Sequence, residues 1–285
     1  ALKSFEGSYG LGVISSKYPH QIIAARKGSP LVIGISKNGN YIASDQMALL
    51  SVTKEFIFLE EGDVAEINID KITIFDLEGN LVNRPIKISQ LKAGQVDLGD
   101  YSHFMQKEIF EQPQAIRDTL ESRITNDSVV ISAFGYKADE IFNEVRQVQI
   151  VACGTSYNAG LVAKYWLEDI AKIPCNVEVA SEYRYRHPIL LNDTLFVTLS
   201  QSGETADTVE ALKIAKKINS NISTLCITNS AESSLTRLSD LIFLTHAGPE
   251  IGVASTKAFT TQLVALALLT SCIGKLKNKI NKKQE

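Results

Sequence analysis

The sequence predicts an α/β fold, a doubly wound parallel sheet preceded by a partial antiparallel β-rich segment. Three observations carry this. From about residue 93, strand-type runs alternate with helix-type runs, the pattern of a mostly parallel sheet covered on both faces. Before residue 92, short β-branched runs alternate apolar and polar residues with period 2, as antiparallel strands with one buried face do. The composition, 45% hydrophobic and 21% charged over 285 residues, is that of an ordinary globular chain of about two domains.

The elements follow in order. Residues 12–14, 21–25 and 31–35 read as strands separated by Gly, Pro and Ser. The Asn38-Gly39 pair marks a tight hairpin returning through residues 41–44. Residues 45–50 fit one short helix capped by Ser44 or Asp45. Residues 56–59, 64–70 and 71–77 are further strands, turning at 60–63 and 78–80. The glycines of 7–12 read as strand-flanking turns, since no strand precedes them. Residues 94–103 form a polar connector, and 104–120 a helix interrupted near Pro113. Strands are expected at 148–153, 177–180, 194–199, 224–228 and 241–245, with helices at 156–171, 205–218 and 257–273.

Charge and cysteine usage exclude several classes. The 29 basic and 32 acidic residues give a net charge of −3, against a dedicated nucleic-acid binder. Residues 1–92 carry ten of each sign, residues 93–274 a net −7 and residues 275–285 a net +4. No uninterrupted apolar run approaches the ~18 residues of a membrane span, and 263–269 is the longest candidate. No basic-apolar-small leader opens the chain, so no secretory signal is expected. Cys153, Cys175, Cys226 and Cys272 are widely spaced in or beside apolar stretches, as buried reduced thiols are, and a cytoplasmic setting is expected. No metal-ligand spacing is present.

Two strand ends are loaded with hydroxyls: Cys153-Gly154-Thr155-Ser156, and residues 200–205 with Ser200, Gln201, Ser202 and Thr205. Each precedes a helix, whose free N–H groups and positive dipole end favour an anion. In an open parallel sheet, ligands bind at these carboxyl ends. Neither loop has the lysine of a Walker-type nucleotide site. The same residues are also ordinary N-caps and turn formers, and both readings stand at this level. A third strand-to-helix segment, residues 250–260, offers Ser255, Thr256 and Lys257; taken alone, Ser255 or Thr256 reads as a helix cap.

Together ACGTSYNAG (152–160), LSQSGETADT (199–208) and EIGVASTKAFTTQ (250–262) resemble the first sugar-isomerase (SIS) half of the isomerizing glutamine–fructose-6-phosphate aminotransferases. FIFLEEGDVAEI (56–67), HFMQKEIFEQP (103–113), SPLVIG (29–34) and ASDQMALL (43–50) resemble the end of that family's glutaminase domain and its linker. The resemblance implies residues 1–92 as the back part of an N-terminal-nucleophile glutaminase sandwich, 93–112 as linker and 113–285 as an SIS-type domain. It further implies that Ser156, Ser200, Gln201, Ser202 and Thr205 hold the phosphate of fructose 6-phosphate, while Thr155, Val253 and Ser255 line the sugar. Fructose 6-phosphate or glucosamine 6-phosphate is the implied ligand. A homodimer is implied for the full-length protein, with no cofactor, nucleic acid or membrane.

The departures shape the expectation. The family's nucleophile is an N-terminal cysteine, whereas residue 1 is Ala and the earliest cysteine is Cys153. The family's Schiff-base lysine, enolising glutamate and ring-opening histidine lie in a second SIS unit and have no matching position. No catalytic residue is therefore assigned, and the chain by itself is expected to have neither glutaminase nor synthase activity. Lys257 is expected to be a solvated helix-start charge, Glu204 a capping or loop residue, Cys153 a packed thiol and His103 structural. His20, His187 and His246 form no metal or triad spacing, and lysines 275, 277, 279, 282 and 283 read as a solvated helix end. A non-catalytic phosphosugar-binding SIS module and an interaction scaffold with capped loops are the rival readings.

Overall fold

Alternation over the first 88 residues builds two antiparallel sheets. In the computed structural model, which describes residues 1–89, 98–125 and 128–281, the strands are β1 (Tyr9–Ser15), β2 (Tyr18–Lys27), β3 (Val32–Ser36), β4 (Gly39–Ala43), β5 (Glu55–Phe58), β6 (Val64–Asn68), β7 (Ile72–Phe75), β8 (Leu81–Val82) and β9 (Ile86–Ile88). One sheet runs β1-β2-β6-β7-β8, the other β4-β3-β5-β9. Ala24, Ala65, Ile67 and Ile74 of the first share one core with Ile33 and Ile57 of the second, as two layers require. Asn38-Gly39 sits at the β3–β4 hairpin.

Two local expectations change. Gly10 and Gly12 lie inside β1, paired to Arg26 and Ala24, rather than in turns. Residues 45–50 hold only a 3-10 turn, Gln46–Leu49, capped by Asp45, whose Oδ1 accepts from Met47 N at 2.7 Å.

The chain divides into two units, Ala1–Asp97 and Leu98–Glu285. The second contains α1 (Phe104–Leu120), α2 (Ala138–Glu144), β10 (Gln147–Ala152), α3 (Gly154–Asp169), β11 (Cys175–Val179), α4 (Ala180–Tyr185), β12 (Thr194–Ser200), α5 (Ala206–Ile218), β13 (Ser223–Thr228), α6 (Ser234–Leu238), β14 (Leu241–Leu244) and α7 (Lys257–Leu276). Its sheet is wholly parallel in the order β11-β10-β12-β13-β14. One apolar cluster packs α2, α3 and α7 on one face, and a second packs α4, α5 and α6 on the other. This is the doubly wound arrangement, with the order reversing between β10 and β12.

Helix α1 runs unbroken through Pro113. Proline cannot donate to the carbonyl four residues back, but Gln112 Nε2 donates to Ile109 O at 3.0 Å and takes that place. The helix begins at Phe104, so part of the segment expected as linker is helical; residues 93–97 of it lie outside the described residues. Helix α7, 20 residues long, has the length and apolarity of a membrane span, although no single apolar run does. Here it is a core helix, with twelve of its residues buried, as a mostly apolar helix between other helices must be. Lys275 and Lys277 are tied back to Ser128 Oγ and Asn143 O rather than freely solvated, while Lys282 and Lys283 lie outside the described residues.

None of the four cysteines is in a disulfide. Burial pushes Cys175 up to about 12, with Glu168 adding to the shift, and burial pushes Cys226 up to about 12. A thiol raised above its unfolded value of about 8.5 contributes stability that is complete below that pH and is lost as pH rises towards 12. Both thiols are expected to resist Ellman's reagent in the native chain at pH 8 and to react in urea. Reaction of either at the rate of a free thiol before unfolding would contradict this.

Candidate functional site

The site is set by sheet register. Ala152, the last residue of β10, pairs with Leu199 of β12, so the chain leaves both strands side by side at the point where strand order reverses. Two hydroxyl loops and the N-termini of α3 and α5 begin there. The first-turn amides of these helices have no intrahelical acceptor, and their dipole ends are positive.

The loop after β12 is tightly organised. Ser200 Oγ accepts from Gly203 N at 3.0 Å and shares a hydrogen bond with Thr205 Oγ1 at 2.9 Å. Ser202 Oγ accepts from Glu204 N at 3.2 Å, leaving its own hydrogen free to donate. Gly203 has φ +66°, the left-handed conformation glycine adopts without cost. Gly203 O accepts from Leu235 N at 3.2 Å. Thr205 is the N-cap of α5 without a capping side-chain bond.

In the loop after β10, Cys153 is the half-buried N-cap residue, Thr155 is exposed and Ser156 is 8% exposed. Ser156 stands in the first turn of α3, three residues after the N-cap Cys153.

The third segment behaves differently from expectation. Glu250, not Ser255 or Thr256, caps α7: its Oε1 accepts from Thr256 N at 2.8 Å and Ala258 N at 3.1 Å. Ser255 Oγ donates to Glu250 Oε2 at 2.9 Å, and Val253 is fully exposed. Lys257 is not solvated. It is 3% exposed and pairs through Nζ with Glu111 Oε2 at 2.6 Å, because α1 covers the start of α7. Glu204 is a capping residue: its carboxylate accepts from Ser234 N at 2.7 Å and Ser234 Oγ at 2.8 Å at the start of α6. His103 occupies the N-cap position of α1, and His246 faces Arg123, where burial and then the guanidinium hold its imidazole below the usual range.

Asn229 connects the loops and was not singled out by sequence. Its N–H donates to Gln201 O at 3.1 Å, its Nδ2 to Gly248 O at 2.7 Å, and its Oδ1 accepts from Ala247 N at 2.7 Å. It follows β13, so the rule that places ligands beyond strand carboxyl ends would have pointed to it. The structure thus groups Ser200, Ser202 and Thr205 in one hydrogen-bonded loop beside Thr155 and Ser156. It holds Val253 and Ser255 in a separate loop joined to the first through Asn229.

Such an arrangement can offer backbone amides and neutral hydroxyls to an anion, with no lysine in either loop. Comparisons with known proteins bear on the fold and the family. A family model for the SIS domain matches residues 141–271. The chain is 56% identical over 280 residues to glutamine–fructose-6-phosphate aminotransferase [isomerizing] of Pseudomonas aeruginosa, covering 98% of this chain and 46% of that protein. The C-terminal domain of glucosamine-fructose-6-phosphate aminotransferase from Francisella tularensis is 52% identical with a TM-score of 0.64, covering 66% of this chain and 53% of that one. Tagatose-6-phosphate ketose/aldose isomerase from Escherichia coli is 21% identical with a TM-score of 0.50 over 59% of this chain and 48% of its own, a likeness of fold. The chain spans about half the length of the curated relatives it matches. Residues 141–271 thus match the SIS domain model, and nearly the whole chain is similar to about half of the isomerizing glutamine–fructose-6-phosphate aminotransferases.

Proposed function

We propose that this chain supplies a phosphosugar half-site to an enzyme that converts fructose 6-phosphate and glutamine to glucosamine 6-phosphate and glutamate. The observation that carries the reading is the Ala152–Leu199 pairing, which puts two helix N-termini and two hydroxyl loops at one switch point. A phosphate dianion there would accept from first-turn amides of α3 and α5 and from the hydroxyls of Ser156, Ser200, Ser202 and Thr205, with the Gln201 amide alongside. Thr155, Val253 and Ser255 would face the sugar. Neutral donors suit a site that must release its product as well as bind its substrate.

In the same reading, residues 1–92 are the back part of a glutaminase sandwich, 93–112 the linker and 113–285 the SIS domain. The full-length protein is a homodimer, and four cysteines outside any disulfide suit a cytoplasmic setting. Titration calorimetry of the chain with fructose 6-phosphate tests the site. Combining Ser200→Ala with Ser202→Ala is expected to weaken binding at least about tenfold, and unphosphorylated fructose to give no heat. Equal binding by the wild type and the double variant would overturn the phosphate assignment.

A further inference from the structure

Segment 250–256 lies near the end of the SIS match over residues 141–271, yet its shape is fixed from outside that match. Glu108, on α1, is 2% exposed. Its Oε1 accepts from Ile251 N at 2.6 Å and Gly252 N at 3.0 Å, and its Oε2 accepts from Gly252 N at 3.2 Å. A Cβ on Gly252 would stand 2.6 Å from Glu108 Oε2 and 3.4 Å from Met105 Cα, so glycine is what lets the backbone close on the carboxylate. One turn further along α1, Glu111 holds Lys257 at 2.6 Å and Gln112 Oε1 accepts from Thr260 Oγ1. Positions 108, 111 and 112 share one helix face. That face grips the segment before Val253 and again after Ser255, while Glu250 fastens Ser255 from within. Between two fixed stems stands the exposed Val253.

We infer that Glu108 is a positioning residue for sugar recognition: its buried carboxylate sets the backbone of 251–252 so that Val253 and Ser255 meet the sugar, while the phosphate loop is left to itself. The inference rests on the phosphosugar reading above. Two backbone amides on one buried carboxylate form a charge-assisted pair of bonds that no uncharged, shorter side chain at 108 could replace. The segment's ligand geometry is thus built in advance of binding, and the affinity gained is that of a loop already ordered.

The test compares fructose 6-phosphate with inorganic phosphate by titration calorimetry on the whole chain. Glu108→Ala is expected to weaken fructose 6-phosphate at least about tenfold while moving inorganic phosphate by less than about twofold. Glu108→Gln keeps the Oε1 acceptor and should recover most of the sugar affinity, a rescue that a general packing defect would not show. Amide hydrogen exchange at Ile251 and Gly252 should accelerate in Glu108→Ala and stay slow in Glu108→Gln. Should Glu108→Ala fail to fold, Gly252→Ala approaches the same contact from the other side and should produce the same selective loss. Unchanged fructose 6-phosphate affinity, or equal weakening of both ligands, overturns the positioning role alone. Failure of the wild-type chain to bind fructose 6-phosphate overturns the site reading and this inference with it.

Discussion

Replacing Gly203 by alanine is expected to cost the second unit about 2–5 kcal/mol, the sum of a left-handed backbone penalty and an overpacked contact. The φ of +66° belongs to the region that side chains with a Cβ disfavour. The added Cβ would also stand 2.5 Å from Ser233 Cβ, closer still to Ser233 Oγ and 3.0 Å from Thr228 Oγ1. Ser233 cannot move aside easily. It is fully buried and locked in a capping box with Thr236 at the start of α6. Thr228 Oγ1 is likewise engaged with Gln201 O. Urea unfolding followed by circular dichroism measures the loss, and calorimetry with fructose 6-phosphate should show binding lost with it. Adding Ser233→Gly should return the steric share and leave the backbone share. A Gly203→Ala chain as stable as wild type within about 0.5 kcal/mol would contradict the account.

Arg84→Ala is expected to destabilise the first unit by about 3–5 kcal/mol, since it strands a buried carboxylate. Asp63 is 1% exposed. Arg84 meets it with two donors, Nε to Oδ2 at 2.9 Å and the second terminal nitrogen to Oδ1 at 2.8 Å, and its other terminal nitrogen reaches Glu60 Oε2 at 2.9 Å. The bond to Asp63 in turn raises the Arg84 guanidinium above its ordinary value. Asp63 also accepts from Glu60 N at 2.7 Å, so the pair pins the β5–β6 turn to the segment after β8. Adding Asp63→Asn removes the stranded charge while keeping an acceptor for Glu60 N, and should recover more than half of the loss. Because the chain has two units, the measurement needs a probe confined to the first, such as amide exchange in β2 and β6. Two single variants with the double variant form a cycle; a coupling energy near zero would contradict the pairing.

Much of this was legible beforehand. The parallel sheet followed from strand and helix runs that alternate in the chain, and both hydroxyl loops fell where those runs meet. The period-2 pattern of β6, with Ala65 and Ile67 buried between half-buried neighbours, gave the antiparallel layer. What misled was local. Pro113 predicted a break, but Gln112 supplies the lost donor from its side chain. Lys257 predicted a solvated charge, but Glu111 lies 146 residues away in sequence. The short helices α2, α4 and α6 carried too few turns for a periodic signal.

The sequence by itself determined most of the strands and the long helices, which loops carry hydroxyls ahead of a helix, and which family those motifs resemble. Such signals are local: a period, a turn residue or a motif is complete within a dozen positions. Only the tertiary structure decided that β10 and β12 are neighbours, that Asn229 joins the loops, and that Glu108 holds Ile251 and Gly252. In the last two a side-chain oxygen meets a backbone N–H. Every residue but proline has one, so nothing in the partner's identity announces the pairing until the fold brings the two together.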